Sequence, residues 1–162
     1  MPNTYVAIAE QTLGSAAASV TLSSISGTYT DLVLVCNATS SSGSPNGLFL
    51  QVNGDTGTNY SSTRLYGTGS AAASVRESTT NRIMTGWTSS TGMTTMITHL
   101  MNYSNTTTYK TTLSRTSDSV SRVNATVGLW RSTSAITSIT LVSEGTNFNT
   151  GSTFSLYGIL AA

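Results

Sequence analysis

The sequence predicts an all-β protein, a single jelly-roll-like β-sandwich of about ten strands. Apolar residues alternate with polar or small residues in short segments, and helical spacing is rare. Val, Thr and Tyr, which favour strands, are frequent, and clusters of Gly, Asn and Ser separate the apolar segments at short intervals. Short, regularly spaced strands with turns between them are typical of a sandwich, and we expect Greek-key connections.

The first extended segment defines the start of the sandwich. Val6 and Ile8 lie on one of its faces, and the residues between and around them lie on the other. We therefore expect the domain to cover residues 5–162, with residues 1–4 as a short N-terminal arm that could reach a neighbouring subunit.

A tight turn is predicted directly after the fourth candidate strand. In residues 47–53, Leu48, Leu50 and Val52 occupy alternate positions and share a face. Asn53 and Gly54 follow, and both residue types tolerate positive φ. We expect a hairpin turn here.

The later strands repeat the alternation. Val123, Ala125, Val127 and Leu129 share one face, and Phe154, Leu156 and Leu160 share another. No helix longer than one turn is expected, although residues 13–19 are rich in alanine. Loops are predicted at 39–47, 67–81 and 143–151. The candidate strands are 5–11, 19–25, 32–38, 47–53, 60–66, 82–88, 94–103, 109–115, 122–131, 136–142 and 152–160.

Composition indicates a folded protein that associates readily. The chain has 162 residues, 38% hydrophobic and 8% charged, with a formal net charge of +1. Disorder normally combines low hydrophobicity with high net charge, so this chain should fold as one domain. Weak net repulsion also favours self-association. The six arginines and the single Lys110 are scattered, which gives no basic stripe for nucleic acid.

Cysteine use and the amino terminus favour synthesis in a reducing cytoplasm. Cys36 is the only cysteine and lies in an apolar run, so we expect a buried, inert thiol. The amino terminus lacks the basic and apolar segments of a secretory signal, and no window is long and apolar enough for a membrane span.

Catalytic motifs are missing from the sequence, and we expect a non-enzymatic protein. His99 is the only histidine and shares a strand face with Ile97 and Met101, which favours a core or interface role over general-base catalysis. The six acids are dispersed, although folding could still bring two together as a glycosidase pair. One Cys and one His are too few ligands for a zinc site.

One segment resembles part of a calcium loop. Residues 53–59 carry oxygen side chains at alternate positions, but they lack the several carboxylates that make such a site tight. The turn interpretation is favoured, and we predict no metal and no cofactor.

Aromatic side chains are the candidate contacts for a ligand or a protein interface. Exposed aromatic rings stack on sugars or anchor interfaces, but both inner faces of a sandwich also need large side chains. Burial of the tryptophans is therefore the favoured alternative. The candidates are Trp87, Trp130, Tyr66, Tyr103 and Tyr109.

Six segments carry a resemblance to a known family. They are Tyr29–Leu34, Asn53–Asp55, Asn59–Gly67, Asn102–Asn105, Val127–Ser132 and Phe154–Ile159. Together they resemble a β-sandwich family found in structural proteins of tailed bacteriophages, especially cyanophages. The resemblance runs from about Tyr5 to Ile159, and its motifs are structural rather than catalytic.

The resemblance implies a virion component, either capsid decoration or tail fibre. Because the chain is sandwich almost throughout, a capsid cement protein on the outside of the phage head is expected, with the major capsid protein as partner. We also expect a homo-oligomer, with a trimer preferred. The alternatives are a tail-fibre protein that recognises host surface glycan and a carbohydrate-binding module, the latter weakened by the missing export signal.

Overall fold

The computed structural model describes residues 4–41, 45–120 and 122–160, and it confirms an all-β sandwich. Two antiparallel sheets contain eight and four strands. No described residue is helical, so no helix here is long and apolar enough to cross a membrane. The strands are β1 (Tyr5–Thr12), β2 (Ser19–Leu22), β3 (Asp31–Ala38), β4 (Asn46–Val52), β5 (Tyr60–Gly67), β6 (Ala72–Thr80), β7 (Ile83–Thr88), β8 (Thr94–Met101), β9 (Lys110–Asp118), β10 (Val123–Trp130), β11 (Ile139–Ser143) and β12 (Thr153–Ile159).

Strand order gives the sandwich a jelly-roll arrangement. The large sheet runs β1-β12-β3-β8-β9-β10-β5-β6, and the small sheet runs β2-β11-β4-β7. When the pairs β5–β6 and β9–β10 are set aside, successive strands alternate between the two sheets, except that β4 and β7 are neighbours. This is a double Greek-key sandwich. The two inserted pairs extend the large sheet beyond β8.

The strand β6 corrects the sequence prediction. Residues 67–81 were expected to form a loop, yet Ala72–Thr80 pairs antiparallel with β5 at the edge of the large sheet. Most of its side chains are exposed on both faces. An edge strand that buries so little needs no apolar alternation, which is why the segment has no strand periodicity. With this strand included, the described residues contain twelve strands rather than about ten.

The alanine-rich segment 13–19 is not helical. Ala17 and Phe148 form an isolated antiparallel bridge, in which each backbone N–H donates to the carbonyl of the other, at 3.1 and 2.8 Å. Phe148 is fully buried, and a second bridge joins it to Ser40. The predicted loop 143–151 therefore holds a core residue and connects two distant parts of the chain.

The apolar core lies between the small sheet and the half of the large sheet made by β1, β12, β3 and β8. Its large, fully buried members include Leu32, Leu34, Leu48, Leu50, Ile83, Met96, Leu100, Phe154 and Leu156. Cys36 lies among them with no exposed surface, as its apolar surroundings in the sequence predicted.

Beyond β8 the interior becomes polar. The buried face of β9 carries Thr112, Ser114 and Thr116, and the buried face of β10 carries Thr126. Hydroxyl groups form hydrogen bonds with one another within this layer, since Thr98 Oγ1 and Ser114 Oγ are 2.8 Å apart. The Ser and Thr residues, about a third of the chain, therefore supply interior as well as surface.

Two glycines let β7 lie close against this polar layer. A Cβ on Gly86 would come within 2.7 Å of the Thr116 side chain, and one on Gly128 within 2.6 Å of Ile83. The Thr116 hydroxyl donates to the Thr85 carbonyl at 2.9 Å, which is a hydrogen bond between the sheets. Side chains larger than hydrogen at these two glycines would force the sheets apart.

The predicted turn forms, but it does not close a hairpin. Asn53 (φ 54°) and Gly54 (φ 64°) both have left-handed conformations, and the Asp55 N–H donates to the Val52 carbonyl at 3.0 Å. However, β4 pairs with β7 and β11, and β5 pairs with β6 and β10. The turn therefore passes from the small sheet to the large one. The conformation of the turn depends on local residues, which the sequence shows, whereas the pairing of the strands on either side depends on residues distant in sequence.

We predict that Gly54→Val lowers the free energy of unfolding by about 1 kcal/mol or more, because a β-branched residue is strained at positive φ. A Cβ at this position would meet no atom within 4 Å, so steric crowding by neighbours does not contribute. Chemical denaturation measures the change. Gly54→Asn is the matched control, since Asn tolerates this conformation; an equal loss in both variants would contradict the explanation.

Burial of Cys36 predicts a loss of stability in alkali. Burial raises the pKa of its thiol from 9.0 to about 12, so the unfolded state loses the proton first as the pH rises. The stabilisation is complete below pH 9.0 and decreases above it by about 1.4 kcal/mol per pH unit. Denaturation measured at intervals from pH 8 to 10 should show little loss from this thiol at pH 8 and a slope that approaches this value at pH 10. Cys36→Ala should remove it, and an unchanged slope would contradict the assignment.

Candidate functional site

The described residues contain no group of three or more His, Cys, Asp or Glu side chains that could hold a metal ion. His99 is half-buried on β8, where it lies between Val33 of β3 and Leu113 of β9 in the sheet register. It faces away from the small sheet, so the core alternative for this histidine is wrong. Its apolar neighbours provide no hydrogen-bonded orienting group of the kind a general base requires.

Most of the acids have structural contacts. Glu77 pairs with Arg64 at 3.0 Å, and Glu144 pairs with Arg82. Three other carboxylates accept hydrogen bonds from backbone N–H groups. Asp31 accepts from Asn102, and Asp118 accepts from Val120 and Arg122. Asp55 is the third and is described next.

Asp55 is the centre of the most connected polar cluster. Its Oδ2 accepts a hydrogen bond from Trp130 Nε1 at 2.7 Å, and its carboxylate also accepts bonds from the Asn59 amide and the Gly57 N–H. These donors, Trp130 foremost, lower the pKa of Asp55 against the opposing effect of partial burial. The carboxylate joins the turn after β4 to the last residue of β10.

Tyr60 also links β4 to the segment that follows it, through two hydrogen bonds of its hydroxyl group. Its hydroxyl donates to the Asp55 carbonyl at 2.9 Å and accepts from the Val52 N–H at 3.2 Å. Burial raises the pKa of Tyr60 to about 12. Because N–H groups already surround the Asp55 carboxylate, a calcium ion would have to displace Trp130 and Asn59 from it. The geometry favours the turn interpretation of residues 53–59.

The five aromatic candidates do not share one surface. Trp130 and Tyr103 are buried, and the Tyr103 hydroxyl donates to the Ser26 carbonyl. Tyr109 is exposed in the segment before β9. Trp87 and Tyr66 are half-buried neighbours, with ring centroids 5.2 Å apart in an edge-to-face arrangement. The structure therefore brings together one pair of the five.

Two arginine side chains make cation–π contacts with the Trp87 indole. The guanidinium carbons of Arg64 and Arg122 each lie 5.2 Å from the centroid of the Trp87 ring. Together with the Tyr66 edge, these contacts fix the ring in one orientation where β7 meets β5 and β10. A groove of about 450 Å³ opens beside Trp87, on the side of Arg64 and Glu77.

The outward face of the five strands β8, β9, β10, β5 and β6 carries an exposed apolar surface, and we call this face the outer face. Leu65 and Val123 are each 61% exposed, Val127 is 55% exposed and Leu113 is 47% exposed. Val123 and Val127 belong to the alternating apolar set found in the sequence. That set faces solvent, and the opposite face of β10, with Trp130 and Thr126, is the buried one.

The sheet register places these side chains side by side. Val127 of β10 is opposite Leu113 of β9, and Leu65 of β5 is opposite Ala125 of β10. Val123 and Leu65 also border an open depression of about 690 Å³ at the end of β5 and β6. Exposed apolar side chains in adjacent strand positions form one contiguous patch rather than isolated surface residues.

Lys110 does not protect a sheet edge. Its side chain is buried, and its ammonium group donates to the Thr108 and Thr133 carbonyls at 2.8 and 3.1 Å. Burial lowers the pKa of Lys110. Because this is the only lysine of the chain, the edge strands β1 and β6 carry none.

The outer face and the groove could not be predicted from the sequence, for different reasons. The alternation in β10 was visible, but which of its two faces is buried depends on β7, which supplies the covering layer. The groove is lined by residues from four strands, β4 to β7, and from two turns, and no spacing in the sequence joins them.

No protein-family model matches this chain, and no curated protein matches it. The resemblance to phage β-sandwich proteins therefore depends on the sequence motifs alone.

We predict that Asp55→Ala lowers the free energy of unfolding by about 1–3 kcal/mol, because it leaves the buried Trp130 N–H without its acceptor. Asp55→Asn keeps an oxygen acceptor and should lose less. Denaturation curves compare the three proteins. A calcium chelator should leave the melting temperature of the wild type unchanged, and a sharp fall on chelation would show instead that residues 53–59 hold a metal.

Proposed function

We propose that this chain is a non-enzymatic virion structural protein, a capsid decoration (cement) protein that binds the outside of a phage head through its outer face. One observation carries the proposal: on β9 and β10 the aliphatic side chains of Leu113, Val123 and Val127 point outward, while Thr112, Ser114, Thr116 and Thr126 point inward. Burying Val and Leu on the inside would have been the simpler way to stabilise the fold. Their outward placement is explained if another surface covers them.

The outer face is large enough for a stable interface. Five strands from β8 to β6, about 4.8 Å apart and each about seven residues long, span roughly 24 Å by 23 Å. The accessible surface of the side chains on that area exceeds its flat extent of roughly 550 Å² and approaches the roughly 800 Å² that each partner contributes to a standard interface. Val127 and Leu113 lie near its middle, Leu65 and Val123 lie toward one end, and Ser, Thr and Arg side chains occupy other outward positions.

Charge favours a capsid subunit over a second copy of the chain on this face. Arg76 lies opposite the outward-facing Thr63, and Arg115 lies opposite the outward-facing Ala125, so both arginines are on the outer face. The outward positions of the strands from β8 to β6 include no carboxylate. Two copies meeting face to face would place arginines together with nothing to pair them. A partner with carboxylate or carbonyl oxygens at matching positions would complement them.

Self-association would then use other surfaces. The edge strands β1 and β6 carry no lysine, and such edges pair readily with other chains. A homo-oligomer, with a trimer preferred because shells offer local threefold positions, remains our expectation. Synthesis in the host cytoplasm followed by residence on the capsid surface is part of the same proposal.

The tail-fibre and carbohydrate-binding alternatives have less support from the aromatic residues. Both functions would favour exposed aromatic rings clustered at one end of the sandwich. Of the five candidates, Tyr109 alone is exposed, while Tyr103 and Trp130 are in the core. An exposed aromatic cluster is therefore not formed by these residues.

We predict that the purified protein binds undecorated phage heads and that occupancy stays close to its low-salt value in high salt, since apolar burial dominates. Leu113→Ser and Val127→Ser should each weaken binding by about tenfold, from the loss of roughly 1.5 kcal/mol of apolar burial. Occupancy and the heat resistance of the heads measure the effect.

Tyr5→Ser is the matched control for head binding, because Tyr5 is an exposed apolar residue at the opposite edge of the same sheet. It should bind like the wild type. Occupancy that collapses at moderate salt would indicate an electrostatic mechanism. Adsorption to host cells without head binding would favour the tail-fibre alternative.

A further inference from the structure

The groove beside Trp87 lies at the junction of the two sheets. β7 is the edge strand of the small sheet, and β5 and β6 of the large sheet extend past it. One wall is formed by Arg64 and Glu77 from the large sheet. The other is formed by Arg82, just before β7, and Glu144, just after β11. Its volume of about 450 Å³ lies within the range typical of small-molecule sites.

Apolar side chains form the base of the groove. Phe49 and Met84 are its most buried apolar lining residues, and the half-buried Trp87 lies beside them. The guanidinium carbon of Arg82 lies 3.9 Å from the centroid of the Phe49 ring. The Arg82 guanidinium therefore covers the Phe49 ring, and the base presents this planar guanidinium together with the exposed part of Trp87, both held in position by packing.

The charges of the groove cancel in pairs. Arg64 and Glu77 form an ion pair at 3.0 Å, and Arg82 and Glu144 form a second pair across the other wall. Two cations and two anions give the groove no net charge, so it has no long-range attraction for a phosphate or for an ammonium group. The same four side chains still provide hydrogen-bond donors and acceptors on both walls.

One donor in the wall is buried without an acceptor. Arg64 is more than nine-tenths buried, and its Nε finds no hydrogen-bond partner among the described residues. A buried donor without a partner is costly, and such groups in native proteins usually meet a water or a ligand. Thr80 and Asn81 add short polar side chains at the rim.

From this juxtaposition of an apolar, aromatic base with two charge-neutral Arg–Glu walls, we infer that the groove binds a neutral saccharide. A sugar ring has an apolar C–H face for the base and hydroxyl groups that both donate and accept for the walls. Because each carboxylate is paired with an arginine, a charged ligand would find no unpaired partner in the groove, and a purely apolar ligand would leave the ion pairs desolvated. The outer face points away from the small sheet, so a head-bound protein would keep this groove open to solvent.

The inference goes beyond the proposed capsid role. Isothermal titration calorimetry with maltotriose, cellotriose, lactose and N,N′,N″-triacetylchitotriose, each at millimolar concentration, should show saturable one-site binding for at least one of them. Glu144→Gln and Asn81→Ala alter exposed residues at the rim, so their variants should fold normally. Each should weaken the binding by about tenfold or more, the effect of losing one hydrogen bond to the ligand.

The matched control is Glu10→Gln, which neutralises an exposed acid on β1, away from the groove. It should bind the saccharide like the wild type. No saturable binding by any of the four saccharides would overturn the inference, and so would binding that Glu144→Gln and Asn81→Ala leave unchanged. Leu113→Ser should retain saccharide binding while it loses head binding, which separates a failure of this inference from a failure of the capsid proposal.

Discussion

The close contact between β7 and the hydroxyl-bearing inner face of β9 and β10 determines which side chains can be buried in this half of the sandwich. Gly86 and Gly128 remove the side chains that would separate the two layers, and Thr116 then bonds directly to the backbone of β7. Beside these two glycines the layer has room for Ser and Thr but not for Leu or Phe. The aliphatic side chains of Leu113, Val123 and Val127 on the same strands face outward, whereas Trp130 at the end of β10 packs inward.

That arrangement links composition to function. In an ordinary sandwich, outward positions are polar and inward positions are apolar, and the surface gains solubility from charge. Here charge is scarce, hydroxyl groups fill part of the interior, and the outward positions of β9 and β10 are rich in Val and Leu. Such a protein is suited to permanent association with another surface, which is the physical basis of the capsid proposal.

The polar cluster around Asp55 has a different task, which is to connect the sheets. Trp130 ends β10 in the large sheet, whereas Val52 ends β4 in the small sheet, and both bond to the short segment between them through Asp55 and Tyr60. A carboxylate that accepts hydrogen bonds from several N–H donors stabilises this connection. The oxygen-rich pattern of residues 53–59 thus has a structural explanation.

The groove and the outer face also occupy separate parts of the sandwich. The outer face lies on the side of the large sheet that points away from the small sheet, and the groove opens between the sheets at β7. The proposed attachment to a phage head would therefore leave the proposed saccharide groove accessible.

The all-β class, most of the strands, the Asn53–Gly54 turn and the burial of Cys36 could be predicted from the sequence, because alternation, turn residues and apolar runs are local properties of the chain. The edge pairing of β6 and the passage of the turn between the sheets could not be predicted in this way. The same is true of the exposure of Val127, the burial of Trp130 and the meeting of Arg64 and Glu144 in one groove. The physical reason is that alternation identifies two faces of a strand without stating which one is covered. Coverage depends on strands distant in sequence, here on the approach of β7.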